Sequence, residues 1–313
     1  MTQAGPKSLS SSRLGRFPAS VQPYVELSRL HYFMGPNLLF WPCAWGLTLA
    51  AVQVKMPLLS LLSYTFICYL TSGLLLHSIG ATWNDICDRD LDRLVARTKN
   101  RPLASGRVSV TQALLFLFPQ VLLMLLLLCA LNPSARNLGI FGLFFWVSLY
   151  PFMKRITHWP QAWLSIACSW SVFVVHASVT GFAWGNTSVG LFIGCFCWCM
   201  HYDTIYGMMD RQDDKRVGIY STALLFGEYA RPVLALFAAG FVFALSIVGR
   251  ILNAQQEFYY LSIVPCAFHL AWQLFKVDFT DEKSCLSMFQ SNATQLGYVV
   301  YLGFIVIYYN ASN

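Results

Sequence analysis

Two short clusters of aspartate are the residues of this sequence best suited to chemistry. One holds four aspartates within eight residues and the other four within twelve: Asp85, Asp88, Asp90 and Asp92, then Asp203, Asp210, Asp213 and Asp214. Together they contain eight of the 14 acidic residues in a chain of 313 residues that is only 11% charged. A need for solubility does not explain this concentration, so we expect the carboxylates to act together.

In each cluster, three carboxylates recur at helical spacing. Positions i, i+3 or i+4 and i+7 share one helix face, and Asp85, Asp88 and Asp92 fit this pattern. Asp203, Asp210 and Asp214 fit it as well. The remaining acidic and basic residues of these segments, such as Asp90, Asp213 and Arg93, can equally be exposed ion pairs, which contribute little to stability.

Two such stripes repel each other unless a cation lies between them. Carboxylates without cysteine or clustered histidine favour a hard ion, and Mg²⁺ prefers a few carboxylates together with phosphate oxygens. Basic residues that surround the two clusters suit the same anionic ligand: Arg97, Lys99, Arg101, Lys154, Arg211 and Lys215. The combination indicates a diphosphate site.

The rest of the chain is apolar enough to place these clusters at the edge of a membrane. The composition is 57% hydrophobic with a mean hydropathy of +0.53, far from that of a soluble domain. Nine stretches approach the ~20 residues needed to cross a bilayer, at 31–53, 58–81, 110–131, 136–153, 162–182, 188–207, 232–249, 257–275 and 288–309. We predict an all-α, polytopic membrane protein with about nine transmembrane helices around a central cavity.

The distribution of Lys and Arg predicts the orientation of these helices. If the N-terminus is cytosolic, 18 of the 21 basic residues fall on the cytosolic face, which agrees with the positive-inside rule. The aspartate clusters then lie on that face, and the cavity opens to the cytoplasm. We expect residues 1–29 to be a cytosolic tail and residues 30–313 a single membrane domain, and we expect no nucleic-acid partner.

Three ordered motifs resemble those of the UbiA superfamily of intramembrane prenyltransferases. The segment "NDICDRDLD" at 84–92 is similar to the NDxxDxxxD signature, and "YDTIYGMMDRQDD" at 202–214 contains the second, DxxxD. Between them, "YPFMK" at 150–154 matches YxxxK. The likeness extends over most of the chain from about Leu30 and is closest to the 4-hydroxybenzoate polyprenyltransferase branch.

The resemblance implies Mg²⁺-dependent transfer of a prenyl group from its diphosphate. Two metal ions are implied, one held by Asn84, Asp88 and Asp92 and the other by Asp210 and Asp214. Asp85 and Asp203 would support the two ions, while Arg97, Lys154 and Lys215 would face the diphosphate. Tyr150 would steady the allylic cation or line the pocket.

The acceptor position departs from the nearest branch. The hydroxybenzoate enzymes normally carry an arginine seven residues before the motif asparagine, and this chain has His77 there. The change resembles fungal enzymes of the family that prenylate aromatic or pyrone polyketides in meroterpenoid biosynthesis. His77 would then orient or deprotonate a hydroxyl of the acceptor, or else be a packed histidine bonded to a backbone carbonyl. His176, His201 and His269 are interpreted as structural.

These features favour transfer of a farnesyl group, with geranyl or geranylgeranyl as alternatives, in the endoplasmic reticulum or another endomembrane. One alternative is 4-hydroxybenzoate polyprenyltransferase of the mitochondrial inner membrane, for which the Ser-rich N-terminus would be a weak leader. The other alternative is a membrane transporter. That class would carry ionisable residues near mid-membrane in several helices, whereas these acids gather at one face.

Overall fold

The computed structural model describes residues 14–312, whose regular secondary structure is entirely helical, with turns between the helices and no β-strand. We label the long helices α1 to α9 in chain order. They are α1 Met34–Gln53, α2 Leu58–Cys87, α3 Val110–Cys129, α4 133–153, α5 Pro160–Thr180, α6 Asn186–Gly207, α7 Thr222–Ile251, α8 Gln256–Lys276 and α9 282–312. Three short helices lie outside them, at Gln22–Leu27, Arg89–Asp92 and Arg211–Val217.

Five of the described helices, α2, α3, α5, α7 and α8, are long and apolar enough to cross a membrane by length and composition. Helices α1, α4, α6 and α9 coincide with the other four predicted spans but are less apolar. The protein is thus an all-helical, multi-pass membrane protein, while the number nine stays a prediction. Large apolar side chains point outward, among them Leu59, Leu236 and Phe275 at 77%, 74% and 86% exposure, as lipid-facing surfaces require.

Aromatic side chains from four helices form the centre of the bundle. Trp45 of α1 lies with its ring centroid 4.9 Å from that of Trp198 of α6. Phe241 of α7 stacks on Trp198 at 5.9 Å, and Phe304 of α9 meets Trp45 edge-on at 6.5 Å. All four side chains are fully buried. Such packing holds α1, α6, α7 and α9 as one body, which fixes the wall of the cavity described below.

Four long helices contain a π-helical segment, which bulges the helix by one extra residue per turn. These segments are Tyr69–Leu76 in α2, Gly142–Val147 in α4, Tyr259–Ile263 in α8 and Asn292–Leu296 in α9. The first ends directly before His77, and the second ends three residues before Tyr150. Each of these two segments therefore ends within three residues of a predicted site residue.

The two aspartate motifs do not lie on uninterrupted helices, contrary to the simple helical-face expectation. α2 ends at Cys87, and Asp88 has φ −94° and ψ 5°, outside the helical region, before the short helix Arg89–Asp92 begins. α6 ends at Gly207 and continues as a 3₁₀ turn, Met208–Asp210, before Arg211–Val217. Each motif therefore bends at the end of its long helix.

Candidate active site

A cavity of about 800 Å³ opens at the end of the bundle where both motifs lie. Its lining includes most of the residues that the sequence singled out, namely His77, Asn84, Asp85, Asp88, Asp92, Arg97, Tyr150, Lys154, Asp203, Asp210 and Asp214. Apolar residues such as Leu38, Leu164 and Ala167 complete the wall. The cavity therefore has one strongly charged wall and one apolar wall.

The carboxylates of the first motif are buried and paired with cations. Asp88, 3% exposed, accepts a hydrogen bond from Lys154 Nζ at 2.8 Å. Lys154 Nζ also lies 3.4 Å from Asn84 Oδ1. Asp92 accepts bonds from Arg101 Nη1 on both oxygens, at 3.1 and 2.9 Å. These pairs compensate charges whose burial alone would be costly.

Asp85, which is buried in the cavity wall, accepts hydrogen bonds from two arginines. Arg29 Nη2 donates to its Oδ1 at 2.6 Å, and Arg101 Nη1 donates to the same oxygen at 3.2 Å. Arg101 therefore bridges Asp85 and Asp92. This bridge connects the end of α2 to the segment that follows it.

The second motif meets the first across the cavity through Arg97. Its guanidinium donates from two nitrogens to the two oxygens of Asp210, with Nε to Oδ1 at 2.8 Å. A third nitrogen donates to the hydroxyl of Tyr206 at 2.8 Å. Nearby, the backbone N–H of Ala96 donates to Asp213 Oδ2 at 2.8 Å. The loops after α2 and α6 are thereby tied together over the site.

Burial raises the pKa of two of these carboxyl groups. The pKa of Asp214 rises to about 7, mainly because the group is desolvated and secondly because the negative charge of Asp210 is near. Desolvation also raises the pKa of Asp92, together with the charge of Asp85, although Arg101 opposes this effect. A cation bound beside these carboxylates would lower both pKa values, because positive charge favours the ionised form.

The residues fit a hard divalent cation that is shared with a ligand. Asp85 Oδ2 and Asp88 Oδ1 are buried and accept no hydrogen bond, although Arg155 Nη2 lies 3.6 Å from Asp88 Oδ1 as an ion-pair partner. Within residues 14–312, no three His, Cys, Asp or Glu side chains converge closely enough to hold a metal by themselves. A site with few protein oxygens and open positions for phosphate oxygens is the arrangement that Mg²⁺ prefers.

Lys154 and Tyr150 lie between the two motifs. The ammonium of Lys154 lies 5.5 Å from the centroid of the Tyr150 ring. Tyr150 also lies close enough to Asp88 and Asp203 to interact electrostatically with both carboxylates. The YxxxK spacing therefore brings a cation and an aromatic ring to the middle of the cavity.

His77 lies at the cavity wall beneath the start of α1. Its Nδ1 is buried without a hydrogen-bond partner, while the backbone of Ser28 is within hydrogen-bonding reach of the ring. Gly35 makes room for the imidazole, since a Cβ at that position would lie 2.2 Å from His77 Nε2. Both interpretations of His77 thus have support: one side of the ring is packed and the other is unsatisfied.

Some predicted contacts are absent from the cavity. Lys215 is exposed and does not line it, because it follows Asp214 by one residue and so points about 100° away on the short helix. Lys99 and Arg211 are not among the lining residues either. Asp90 and Asp213 form the exposed or half-exposed pairs Arg89–Asp90 and Asp213–Arg216, as expected for solvated loop charges.

Arg29 is a cavity residue that the sequence did not reveal as one. It belongs to the predicted tail, yet it lines the cavity with Glu26, His31 and Tyr32. Arg29 has φ 58°, a left-handed conformation that costs ~1–3 kcal/mol for such a residue, and its bond to Asp85 offsets that strain. The wall of the site thus begins before residue 30, while residues 1–13 of the tail lie outside the described range.

Fold and site together define a class: a multi-pass helical membrane protein whose apolar cavity carries clustered carboxylates and cations at one end. Sequence comparison identifies the family within this class. Residues 39–296 match the UbiA prenyltransferase family, and the chain belongs to that family. Since its members are transferases, the protein is a prenyl-transferring enzyme and the transporter alternative is disfavoured.

Named relatives fall into two groups. The UbiA prenyltransferase claS of Ampulloclitocybe clavipes is 41% identical over 290 residues, which cover 93% of this chain and 92% of that protein. The mitochondrial 4-hydroxybenzoate polyprenyltransferase of Homo sapiens is 36% identical over 289 residues, which cover 92% of this chain and 76% of that protein. The resemblance inferred from the motifs is confirmed.

Solved structures share the fold. A UbiA homolog from Aeropyrum pernix K1 superposes with a TM-score of 0.70 at 22% identity, over 86% of this chain and 97% of that one. A UbiA homolog from Archaeoglobus fulgidus bound to GPP and Mg²⁺ gives 0.65 at 19% identity, over 91% and 99%. That homolog therefore binds a prenyl diphosphate with the metal ion.

Proposed function

We propose that this chain is a Mg²⁺-dependent aromatic prenyltransferase of meroterpenoid biosynthesis. It would transfer a prenyl group, farnesyl in preference to geranyl or geranylgeranyl, to a carbon of an aromatic or pyrone polyketide. The observation that carries the proposal is that both aspartate motifs and Lys154 face one cavity in a member of the UbiA family.

The donor diphosphate would bind at the charged end of the cavity. Asn84, Asp88 and Asp92 would hold one Mg²⁺, and Asp210 and Asp214 a second. When bound, Mg²⁺ would neutralise the negative charge that develops on the diphosphate as the allylic C–O bond breaks. Two observations support these positions: Asp88 Oδ1 accepts no hydrogen bond, and the pKa of Asp214 is raised.

Cations of this chain would bind the diphosphate directly. Arg97 and Lys154 now neutralise Asp210 and Asp88, and both can turn to phosphate oxygens once metal ions compensate the carboxylates. Arg101, which we expected only among the surrounding basic residues, lines the same surface. Lys215 is left out of this proposal because it is exposed outside the cavity.

The apolar side of the cavity would keep the reacting cation dry. Its wall contains Leu38, Leu164 and Ala167, and exclusion of water protects an allylic cation from hydrolysis. The Tyr150 ring, beside Lys154, is placed to stabilise positive charge through its face. A volume of about 800 Å³ lies in the ~300–1,000 Å³ range of small-ligand sites, which suits a short donor with an acceptor.

His77 would contact the acceptor. Its unsatisfied Nδ1 can accept from or donate to a hydroxyl of a phenol or pyrone, which makes the ring carbon more nucleophilic when that hydroxyl loses its proton. Similarity to the fungal claS protein supports this acceptor class. We propose the endoplasmic reticulum or another endomembrane as the location, with the N-terminus cytosolic and residues 30–313 as one catalytic domain.

A second candidate is 4-hydroxybenzoate polyprenyltransferase of ubiquinone biosynthesis in the mitochondrial inner membrane. Similarity of 36% to the human enzyme of that name favours it. The two candidates differ in acceptor and in donor length, while both use the same charged end of the cavity.

One assay separates the candidates. Membranes that contain the protein are given Mg²⁺ and geranyl, farnesyl, geranylgeranyl or a long polyprenyl diphosphate, each with 4-hydroxybenzoate, phenolic acids and pyrones. We expect a C-prenylated phenolic acid or pyrone from farnesyl diphosphate. Product only from 4-hydroxybenzoate and the long donor would establish the second candidate, and no product from any pair would refute both.

A further inference from the structure

Asp203 differs from the other aspartates that line the cavity. No hydrogen bond or ion pair joins its carboxylate to another residue of the described chain, whereas Asp85, Asp88, Asp92 and Asp210 are each paired with a cation. Asp214 interacts with Ser221. Glu282 also lines the cavity but is exposed. Asp203 is therefore a half-buried, unpaired carboxylate in the wall.

The position of Asp203 separates it from the diphosphate end. It lies within α6 and precedes Asp210 by seven residues, which is about 10 Å along a helix. Its neighbours in sequence and across the wall are Tyr202 and Cys168, both buried and both in the lining. The Asp203 side chain thus lines the cavity about two helical turns from Asp210 and near Tyr150, where we place the reacting ring and the allylic carbon.

Lys154 connects this carboxylate to the reaction centre. Its ammonium bonds Asp88 at 2.8 Å, and its charge also acts on Asp203. Tyr150 is close to both Asp88 and Asp203. Lys154 therefore lies near Asp203 without a hydrogen bond to its carboxylate, which leaves the lone pairs of Asp203 free to accept a proton.

Aromatic prenylation requires such a base. The allylic C–O bond breaks with its electrons going to the diphosphate, and a ring π pair forms the new C–C bond. The resulting ring, a neutral dienone when the hydroxyl has lost its proton and a cation when it has not, carries both a prenyl group and a hydrogen on one carbon. Aromaticity returns when that C–H bond breaks, its electron pair re-enters the ring and the proton leaves. Carboxylates already paired with metal or arginine are poor acceptors of this proton.

We propose that Asp203 is the catalytic base that removes this ring proton, an inference that rests on the prenyl transfer proposed above. The carboxylate of Asp203 becomes a carboxylic acid as the ring regains aromaticity, and it returns the proton to water when product leaves. Asp203 then acts on the acceptor, while Asp88, Asp92, Asp210 and Asp214 act on the donor.

The test compares Asp203→Asn and Asp203→Glu with wild type and with Asp90→Asn, an exposed control. The acceptor is whichever phenolic acid or pyrone of the panel wild type prenylates, unlabelled or deuterated at the alkylated carbon. Binding is measured separately with farnesyl thiodiphosphate, a donor analogue that does not ionise readily. We expect Asp203→Asn to lower transfer about 10²–10⁴-fold, the usual contribution of general base catalysis, with unchanged binding of the analogue and partial activity in Asp203→Glu.

The isotope effect distinguishes a base from a structural residue. Proton removal becomes the slow step without the base, so deuteration should slow Asp203→Asn clearly more than wild type and Asp90→Asn. Transfer near the wild-type rate in Asp203→Asn, or loss of transfer with no added isotope effect, would overturn the assignment. Loss of analogue binding in both Asp203 variants would also overturn it, because the residue would then serve the donor. Failure of wild type to prenylate any acceptor would refute the proposed function instead.

Discussion

At the scale of single residues, the charged end of the cavity is held together by pairing of opposite charges. Lys154 with Asp88, Arg97 with Asp210 and Arg101 with Asp92 are all at least partly buried. Removing one partner of a buried pair leaves an uncompensated charge, at a cost of ~3–5 kcal/mol. The same pairs hold each carboxylate in place for a metal ion before one binds.

The donor-site carboxylates should be indispensable to activity. Alanine at Asp88, Asp92, Asp210 or Asp214 is expected to lower prenyl transfer below detection while the protein still inserts in the membrane. Asp90→Ala is the matched control, because that side chain lies in the first motif but is 70% exposed. Prenyl transfer is measured in membranes with equal amounts of inserted protein. Near-normal activity in any two of the four variants would contradict the two-metal site.

The fit between His77 and Gly35 gives a second prediction. A methyl group at residue 35 would lie 2.2 Å from His77 Nε2, so Gly35→Ala must displace the imidazole. We expect Gly35→Ala and His77→Ala to change the acceptor profile in the same direction and to leave binding of farnesyl thiodiphosphate intact.

The double variant is the control for this prediction. If Gly35→Ala acts through the ring, it should add little in the His77→Ala background, as coupled sites do. Equal effects of Gly35→Ala in both backgrounds, or an unchanged acceptor profile in the single variants, would argue against contact between His77 and the acceptor.

At the scale of helices, a buried polar network holds α6, α8 and α9 together away from the cavity. Gln273 of α8 has its Oε1 3.1 Å from His201 Nε2 and accepts from Asn292 Nδ2 at 3.1 Å. Asn292, in the π segment of α9, accepts from Trp198 Nε1 at 2.8 Å. His201, Gln273 and Asn292 are all completely buried. The interpretation of His201 as structural agrees with these contacts.

Loss of this network should weaken the bundle before it affects chemistry. Gln273→Leu leaves the buried Nε2 of His201 without a partner and removes one of the two hydrogen bonds that Asn292 Nδ2 donates. An unsatisfied buried group costs ~1–3 kcal/mol. We expect a lower thermal unfolding temperature in detergent, with near-normal transfer at low temperature. Gln295→Leu, at the exposed end of the same network, is the control. An unchanged unfolding temperature in Gln273→Leu would show that the network does not stabilise the packing.

Helical spacing predicted which acids share the cavity, although it did not predict that the helix breaks within the first motif. Asp85, Asp88 and Asp92 line one wall even though the helix breaks at Asp88. Their separation of three and four residues survives the bend because a short helix follows at once. The π segment before His77 had no signal that periodicity could detect, since an extra residue in a turn leaves an apolar run looking regular.

Arg29 shows what spacing cannot reveal. It pairs with Asp85 across 56 residues of sequence and is reached through a left-handed backbone turn. A basic residue in a polar segment before the first apolar stretch looks like a topology signal. Lys215 shows the converse, because proximity in sequence to Asp214 suggested a contact that the short helix directs away from the cavity.

At the scale of the whole molecule, the fold separates two environments that the reaction requires. Aromatic packing of α1, α6, α7 and α9 gives a rigid, apolar wall, while the loops after α2 and α6 carry the charges and are joined by the Arg97–Asp210 pair. A donor with a charged head and an apolar tail would lie across the boundary. Composition predicted the membrane and the motifs predicted the family, whereas only the fold places the charged surface beside the apolar wall.

The measurement that tests the account most directly is Mg²⁺-dependent binding of farnesyl thiodiphosphate to the purified protein. We expect saturable binding with Mg²⁺, loss of binding when EDTA removes the ion, and recovery when Mg²⁺ is restored. Asp88→Ala and Asp210→Ala should each abolish this binding, and Asp90→Ala should retain it. Equally tight binding in EDTA, or normal Mg²⁺-dependent binding in both Asp88→Ala and Asp210→Ala, would contradict a diphosphate–magnesium site built from the two aspartate motifs.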